Sequence, residues 1–199
     1  MDWDDFTIGF WHPFGAHGSH PDGTTEEGDD ILLRKASEID KNKGWTLWSF
    51  QHHSKLAQMI AEIEKACPRR VFALCSASKN PKPPKGNVRE LKEFQLSPKD
   101  DWQVIPAAIR VPHPIGEKSC AAAFRVKQIR EFQTEGLLPD IRVEWYSTKT
   151  GRWNSEFPPG KEGYPPRPEL LIRQSTSGAP LRPVRAVLEL SAPYVVTLK

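Results

Sequence analysis

"RVFALCSAS", Arg70 to Ser78, is an almost unbroken apolar run of strand length. A strand that is apolar on both faces is one buried on both faces, so the run predicts a central strand of an internal sheet. Upstream, Leu56, Met59, Ile60, Ile63 and Cys67 recur at helical spacing, and Pro68 ends that helix. Before it stands "GWTLWSFQHHS", Gly44 to Ser54, in which Trp45 to Gln51 predict a second strand. Its alternation puts Trp45, Leu47 and Ser49 on one face and Thr46, Trp48 and Phe50 on the other. Ile31, Leu32, Ala36 and Ile39 give a further helical stripe up to Gly44, with Thr24 and Glu27 at the spacing of a capping box. "FTIGFWH", Phe6 to His12, reads as the first strand, and "HPFGAHGSHPDG" after it is too rich in Pro, Gly and Asp for regular structure.

The first part of the chain is therefore β-α-β-α-β. Strands are then expected at Ala107 to Val111, Ala121 to Ile129, Ile141 to Ser147, Leu170 to Arg173, Ala186 to Leu190 and Tyr194 to Leu198. "STKTGRWN" reads as a hairpin turn with Gly151 at positive φ, and "KNPKPPKG", "FPPGKEGYPPRP" and "SGAPLRP" are proline-rich loops. The order predicts an α+β fold: a curved or barrel-like, mostly antiparallel sheet flanked by two N-terminal helices. A single domain is expected over residues 1–199, with a core at 1–129 and a β-rich, proline-rich extension at 130–199.

A chain of 199 residues can bury a core without disulfides or metals. No apolar run approaches the roughly eighteen residues of a membrane span, so no membrane partner is expected. "MDWDDFTIGFW" is acidic and lacks the features of a signal peptide, and the three cysteines, Cys67, Cys75 and Cys120, fit reduced thiols; both point to the cytoplasm. The net charge of +3 is compatible with nucleic acid and does not demand it.

Five of the six histidines follow the first two strands: His12, His17 and His20, then His52 and His53. Cys75, Ser76 and Ser78 end the third. If these strands are parallel neighbours, all three ends open on one side, where α/β sheets bind ligands. His12, His17, His20 and His52 are then candidates for acid–base or metal work in a small hydrolytic or nucleotide-acting enzyme. Gly15, Gly18 and Gly23 precede a helix, but Asp22, Glu26, Glu27, Asp29 and Asp30 crowd its start and would repel phosphate. Cys75 or Ser76 as nucleophile lacks a nucleophile elbow. Aromatic recognition is the other chemistry, with a flat base held between tryptophans such as Trp11, Trp48 and Trp102.

The succession of strand, loop, "GWTLWSF", amphipathic helix and "VFALCSAS" resembles the start of the PUA-like modified-base readers, the EVE and YTH type domains. "DDWQVIPAAIRVPHP" is similar to their stretch in which a tryptophan precedes a strand and a proline-containing turn. The match covers Phe6 to Pro114. It implies a small β-barrel with helices packed around it, which binds nucleic acid by flipping a modified base into an aromatic cage and carries out no reaction. It implies Trp48 as the cage tryptophan, Ser49 as its hydrogen-bonding neighbour, Trp11 and His12 as further ligand contacts and Trp102 as a second cage residue. Lys79, Lys82, Lys85 and Arg89, with Arg69, Arg70 and Arg125, would contact the backbone phosphates. The expectation is a nucleic-acid reader, of DNA or RNA, with no cofactor and no metal. The alternatives are the histidine enzyme and an interaction module docking a partner on its proline-rich loops.

Overall fold

The computed structural model describes residues 6–14, 17–51, 55–77, 88–114, 121–132, 140–157, 170–175 and 178–199. In chain order these form β1 (Ile8–Phe14), β2 (His17–Ser19), β3 (Thr25–Glu27), α1 (Gly28–Lys41), β4 (Thr46–Gln51), α2 (Leu56–Ala66), β5 (Val71–Ala77), β6 (Val88–Glu90), β7 (Glu93–Gln95) and β8 (Gln103–Val104). There follow β9 (Pro112–Pro114), β10 (Ala121–Glu131), β11 (Asp140–Ser147), β12 (Arg152–Asn154), β13 (Leu170–Gln174), β14 (Leu181–Pro183) and β15 (Ala186–Leu198). The architecture is α+β, mostly strand, with a mixed sheet that is not closed into a barrel among the described residues. The chain divides into two compact units that alternate along the sequence. The first takes Met1–Phe14, His53–Lys79 and Arg130–Glu189; the second takes Gly15–His52, Asn80–Ile129 and Leu190–Lys199.

In the first unit the strands run β12-β11-β13-β1-β5. Val71 to Ser76 of β5 are all buried, as an apolar run without alternation requires of an inner strand. β1 lies parallel to β5, Gly9 beside Phe72 through Phe14 beside Ala77, and antiparallel to β13. A parallel pair needs a long crossover, and α2 is part of it. This helix buries Leu56, Met59 and Ile63. Cys67 does not continue that stripe: it is the exposed left-handed cap, its N–H donating to the Ile63 and Glu64 carbonyls. Phe6, Phe72, Leu74, Val143, Ile172 and Val187 share one core. β11 turns into β12 at Gly151, whose φ of 66° is a conformation glycine adopts without strain.

In the second unit β4 pairs antiparallel with β10, β7 with β15 and β8, β6 with β9, and β2 with β3. Leu47, Leu91, Phe94, Val111, Ala123 and Val196 form its core, and Trp45 packs on it at 5.8 Å from Phe94. Four sequence expectations change here. The His/Gly/Pro segment after β1 is not wholly irregular, since its second half forms the β2–β3 hairpin. It turns on Asp22, whose carboxylate accepts from the Thr24 N–H (3.0 Å) and hydroxyl (2.6 Å). Thr24 is therefore not a capping residue; Glu27 precedes α1 and no side chain caps it. Residues 107–111 are not a strand: the Ile109 N–H closes a turn on the Pro106 carbonyl, and Ile109 and Val111 reach the core from irregular backbone. The two strands expected at 186–190 and 194–198 are one, β15.

Candidate functional site

β1 and β5 end side by side, with Trp11 opposite Leu74 and His12 opposite Cys75. This is the arrangement expected of the first and third strands. β4 does not join them as a parallel neighbour; its partner is β10, so the condition for one common edge of three strands is not met. His12 is buried at 7 % exposure. Cys75 is fully buried, and loss of water around it pushes its thiol far above the ordinary range, which disfavours the thiolate a nucleophile needs.

Trp11 is 3 % exposed, and its indole N–H is buried without a hydrogen-bond partner among the described residues. Its ring meets Phe157 edge-on at 5.5 Å. Above the same Phe157 ring lies the guanidinium of Arg182, 3.7 Å from the centroid, with its Nε also buried and without a partner among the described residues. Burial lowers the Arg182 pKa from its ordinary value, against the opposing charge of Glu156. Ser76, beside Pro13 at the end of β5, adds a hydroxyl that is likewise buried with no hydrogen-bond partner among the described residues. On β11–β12, Tyr146 packs on Trp153 at 5.3 Å, and Arg173 covers Trp153 at 4.5 Å while Glu144 accepts from its Nε at 2.9 Å. The first unit thus sets arginines on aromatic faces and leaves two buried donors around one ring.

The second unit contains a groove of about 470 Å³. Leu91, Ile105, Ile109, Pro21 and Pro106 give it an apolar lining, and Asp22, Glu90, Lys92 and Arg110 bring charge to it. Behind it lies a buried ionic network. Glu38, 3 % exposed, accepts from Lys35 Nζ (2.8 Å), Arg34 Nη1 (2.8 Å), Thr46 Oγ1 (2.5 Å) and the Arg110 N–H (3.1 Å). Lys35 donates in turn to the Arg110 carbonyl at 2.6 Å. Burial pushes the Lys35 ammonium down to about 8, with Glu38 opposing. Burial alone would raise the Glu38 carboxyl; the Lys35 charge and the hydrogen bonds overcome it and hold the group below its ordinary value.

The remaining sequence candidates are dispersed. Trp48 is buried at 6 %, opposite Phe124 on β10, and Ser49 donates its hydroxyl to the Pro112 carbonyl at 3.3 Å. Trp102 is exposed at 37 %, with Lys199 Nζ 4.4 Å from its ring centroid. Arg89 is exposed on β6 opposite His113, whose pKa is lowered by burial and by the Arg89 charge. His20 is buried with Nε2 3.4 Å from Glu26, and His17 pairs with Glu27 through β2 and β3. Arg70 is committed to Glu189 (2.6 Å) and Arg125 donates to the Ala192 carbonyl (2.7 Å), whereas Arg69 is exposed. His52, His53, Lys79, Lys82, Lys85 and Cys120 lie outside the described residues. Among the described residues no group of three or more His, Cys, Asp or Glu side chains is placed to hold a metal. None of their helices is long and apolar enough to cross a membrane. Comparison with protein-family models, curated proteins and solved structures gave no match.

Proposed function

We propose that this protein binds nucleic acid as a PUA-like reader of a base taken out of its stack, a modified base being the ligand that the resemblance implies. The observation that carries this reading is the Trp11–Phe157–Arg182 arrangement: an arginine over an aromatic ring, with a second aromatic at the ring edge and two buried donors, Trp11 Nε1 and Arg182 Nε, that no acceptor among the described residues satisfies. A buried unpartnered donor costs about 1–3 kcal/mol, which an acceptor-bearing ligand would recover. Phosphate oxygens and base carbonyls are such acceptors, and an arginine held flat keeps its fork ordered for them. Arg173 on Trp153 and Lys199 on Trp102 repeat the pairing at exposed positions, where bases stack and phosphates are neutralised. In this reading Trp11 and Trp102 keep the roles the sequence gave them, and Trp48 belongs to the packing of β4 on β10.

The test is titration of the intrinsic tryptophan fluorescence with short single- and double-stranded oligonucleotides, with and without modified bases, at about 50 and 200 mM salt. Saturable quenching that weakens with salt is expected. Arg182→Ala or Arg173→Ala should each lower the slope of log K against log salt by about 0.7 per lost single-strand phosphate contact. No saturable response to any oligonucleotide refutes the proposal.

A further inference from the structure

Glu90 and Arg110 offer the groove an acceptor and a donor side by side. Glu90 is pinned by one oxygen, since its Oε1 accepts the Val111 N–H. Its Oε2 is buried, accepts no hydrogen bond among the described residues and stands 3.5 Å from Arg110 Nη2. The backbone that carries Arg110 is held at every polar group from 110 to 111. The Arg110 N–H goes to Glu38 (3.1 Å) and its carbonyl to Lys35 (2.6 Å), while the Val111 carbonyl accepts from the Leu91 N–H (3.1 Å). The buried charges of α1 therefore serve as an anchor for the groove. A carboxylate oxygen kept out of water without a donor is costly, more so than a neutral acceptor. Glu90 also lines a groove whose volume of about 470 Å³ lies within the roughly 300–1,000 Å³ of small-molecule sites. Asp22, the other carboxylate on the groove, is already occupied by Thr24.

A groove of mixed polar and apolar lining that sets an acceptor, Glu90, next to a donor, Arg110, matches a flat ring whose own edge carries a donor next to an acceptor. Every unpaired nucleobase presents that pattern on its Watson–Crick edge, and in a duplex the same edge is consumed by pairing. We propose that this groove takes one unpaired base by its Watson–Crick edge, a base N–H donating to Glu90 Oε2 and Arg110 donating to the adjacent base acceptor. Exposed Lys92 stands where a flanking phosphate can be met. The inference rests on the nucleic-acid reading and deepens it: the protein selects unpaired over paired strands, and Glu90 is the residue that makes the selection.

The probes are uridine and 3-methyluridine, which differ only in the ring N–H that Glu90 would accept. They are titrated into the full chain and followed by the Val111 amide resonance, whose proton already lies on Glu90. Uridine is expected to bind about 5- to 150-fold more tightly than 3-methyluridine, the range for one well-made base-edge contact. Glu90→Gln should erase that difference while salt-dependent oligonucleotide binding persists. If Glu90→Gln does not fold, Arg110→Gln, which keeps the backbone bonds to Glu38 and Lys35, should weaken both nucleosides and leave the difference between them, and unchanged uridine binding in that variant overturns the groove assignment. Equal binding of the two nucleosides, or binding of neither, overturns the groove assignment. Binding of acetyl-asparagine amide, read at the same Val111 resonance, without nucleoside binding overturns it in favour of a peptide carboxamide. The oligonucleotide titration separates the two levels: salt-dependent binding without nucleoside discrimination sinks the groove alone, and nucleoside discrimination without oligonucleotide binding sinks the nucleic-acid reading alone.

Discussion

Replacing Glu38 by Gln keeps the shape of the side chain and removes its charge. Four donors converge on this carboxylate, and one of them, Lys35, is itself buried at 4 % exposure. The substitution removes the charge that most opposes loss of the Lys35 proton, so this buried amine is driven below its folded value of about 8, and removing one partner of a buried pair typically costs about 3–5 kcal/mol. For a chain of this size that corresponds to a fall of roughly 6–20 °C in Tm. Urea unfolding followed by tryptophan fluorescence gives the number directly. The double variant Lys35→Met/Glu38→Leu should recover the ionic part only. Thr46 Oγ1 and both polar groups of the Arg110 peptide would still lose a partner, at about 1–3 kcal/mol each where they stay buried. The pH dependence has a definite sign. Glu38 is held below its ordinary 4.5 in the folded chain, so its stabilisation is complete above that value and is lost as pH falls through the lower folded one. The gap between wild type and Glu38→Gln should therefore close in acid. Lys35 works on the other side: with a folded value of about 8 against 10.5, the unfolded chain holds more protons between those limits, and this group makes stability rise with pH across them. A Glu38→Gln variant within 1 kcal/mol of wild type at neutral pH, or a gap that widens in acid, would refute the reasoning.

Trp48→Ala should cost about 3–5 kcal/mol by denaturant unfolding, as for a large aromatic removed from a core, and a loss under 1 kcal/mol would return Trp48 to the list of ligand contacts. Cys75 should resist alkylation at pH 8 in the native protein while exposed Cys67 reacts, with peptide mapping distinguishing them; labelling of both at equal rates counts against the burial of β5. The imidazole of His113 should titrate below 6.5 by NMR and move upward in Arg89→Ala. Because its folded pKa is depressed, the stability tied to His113 is lost as pH falls from about 6.5 through that lower value.

Much of the framework follows from hydrophobic period. The run at Val71 to Ser76 lies inside the sheet, the stripe Leu56, Met59, Ile63 is the buried face of α2, and Gly151 makes the β11–β12 turn. Pattern fails where a residue's burial contradicts its polarity. Lys35 and Glu38 lie on the inner face of α1 beside Leu32, whereas Ala36 of the expected stripe is exposed, because the charges neutralise each other and the Arg110 peptide supplies their remaining partners. The candidate site was legible only in part, at Trp11 and Trp102. Glu90, Arg110, Phe157 and Arg182 sit on short strands or irregular backbone, and what sets them apart is a missing hydrogen-bond partner or a ring contact far along the chain, neither of which leaves a mark on local spacing.

β1 has one further consequence, for synthesis. Phe10 lies between Ala73 on one side and Leu171 on the other, the latter 161 residues further along the chain. At about 5–20 residues per second, β1 has left the ribosome on the order of 10 s before the strand that completes its hydrogen bonding exists. Through that interval an apolar strand, Ile8 to Trp11, keeps an open edge, which is the kind of surface that recruits another chain. Slow translation should therefore lower the soluble yield of this protein, and a chaperone that covers extended apolar segments should restore it.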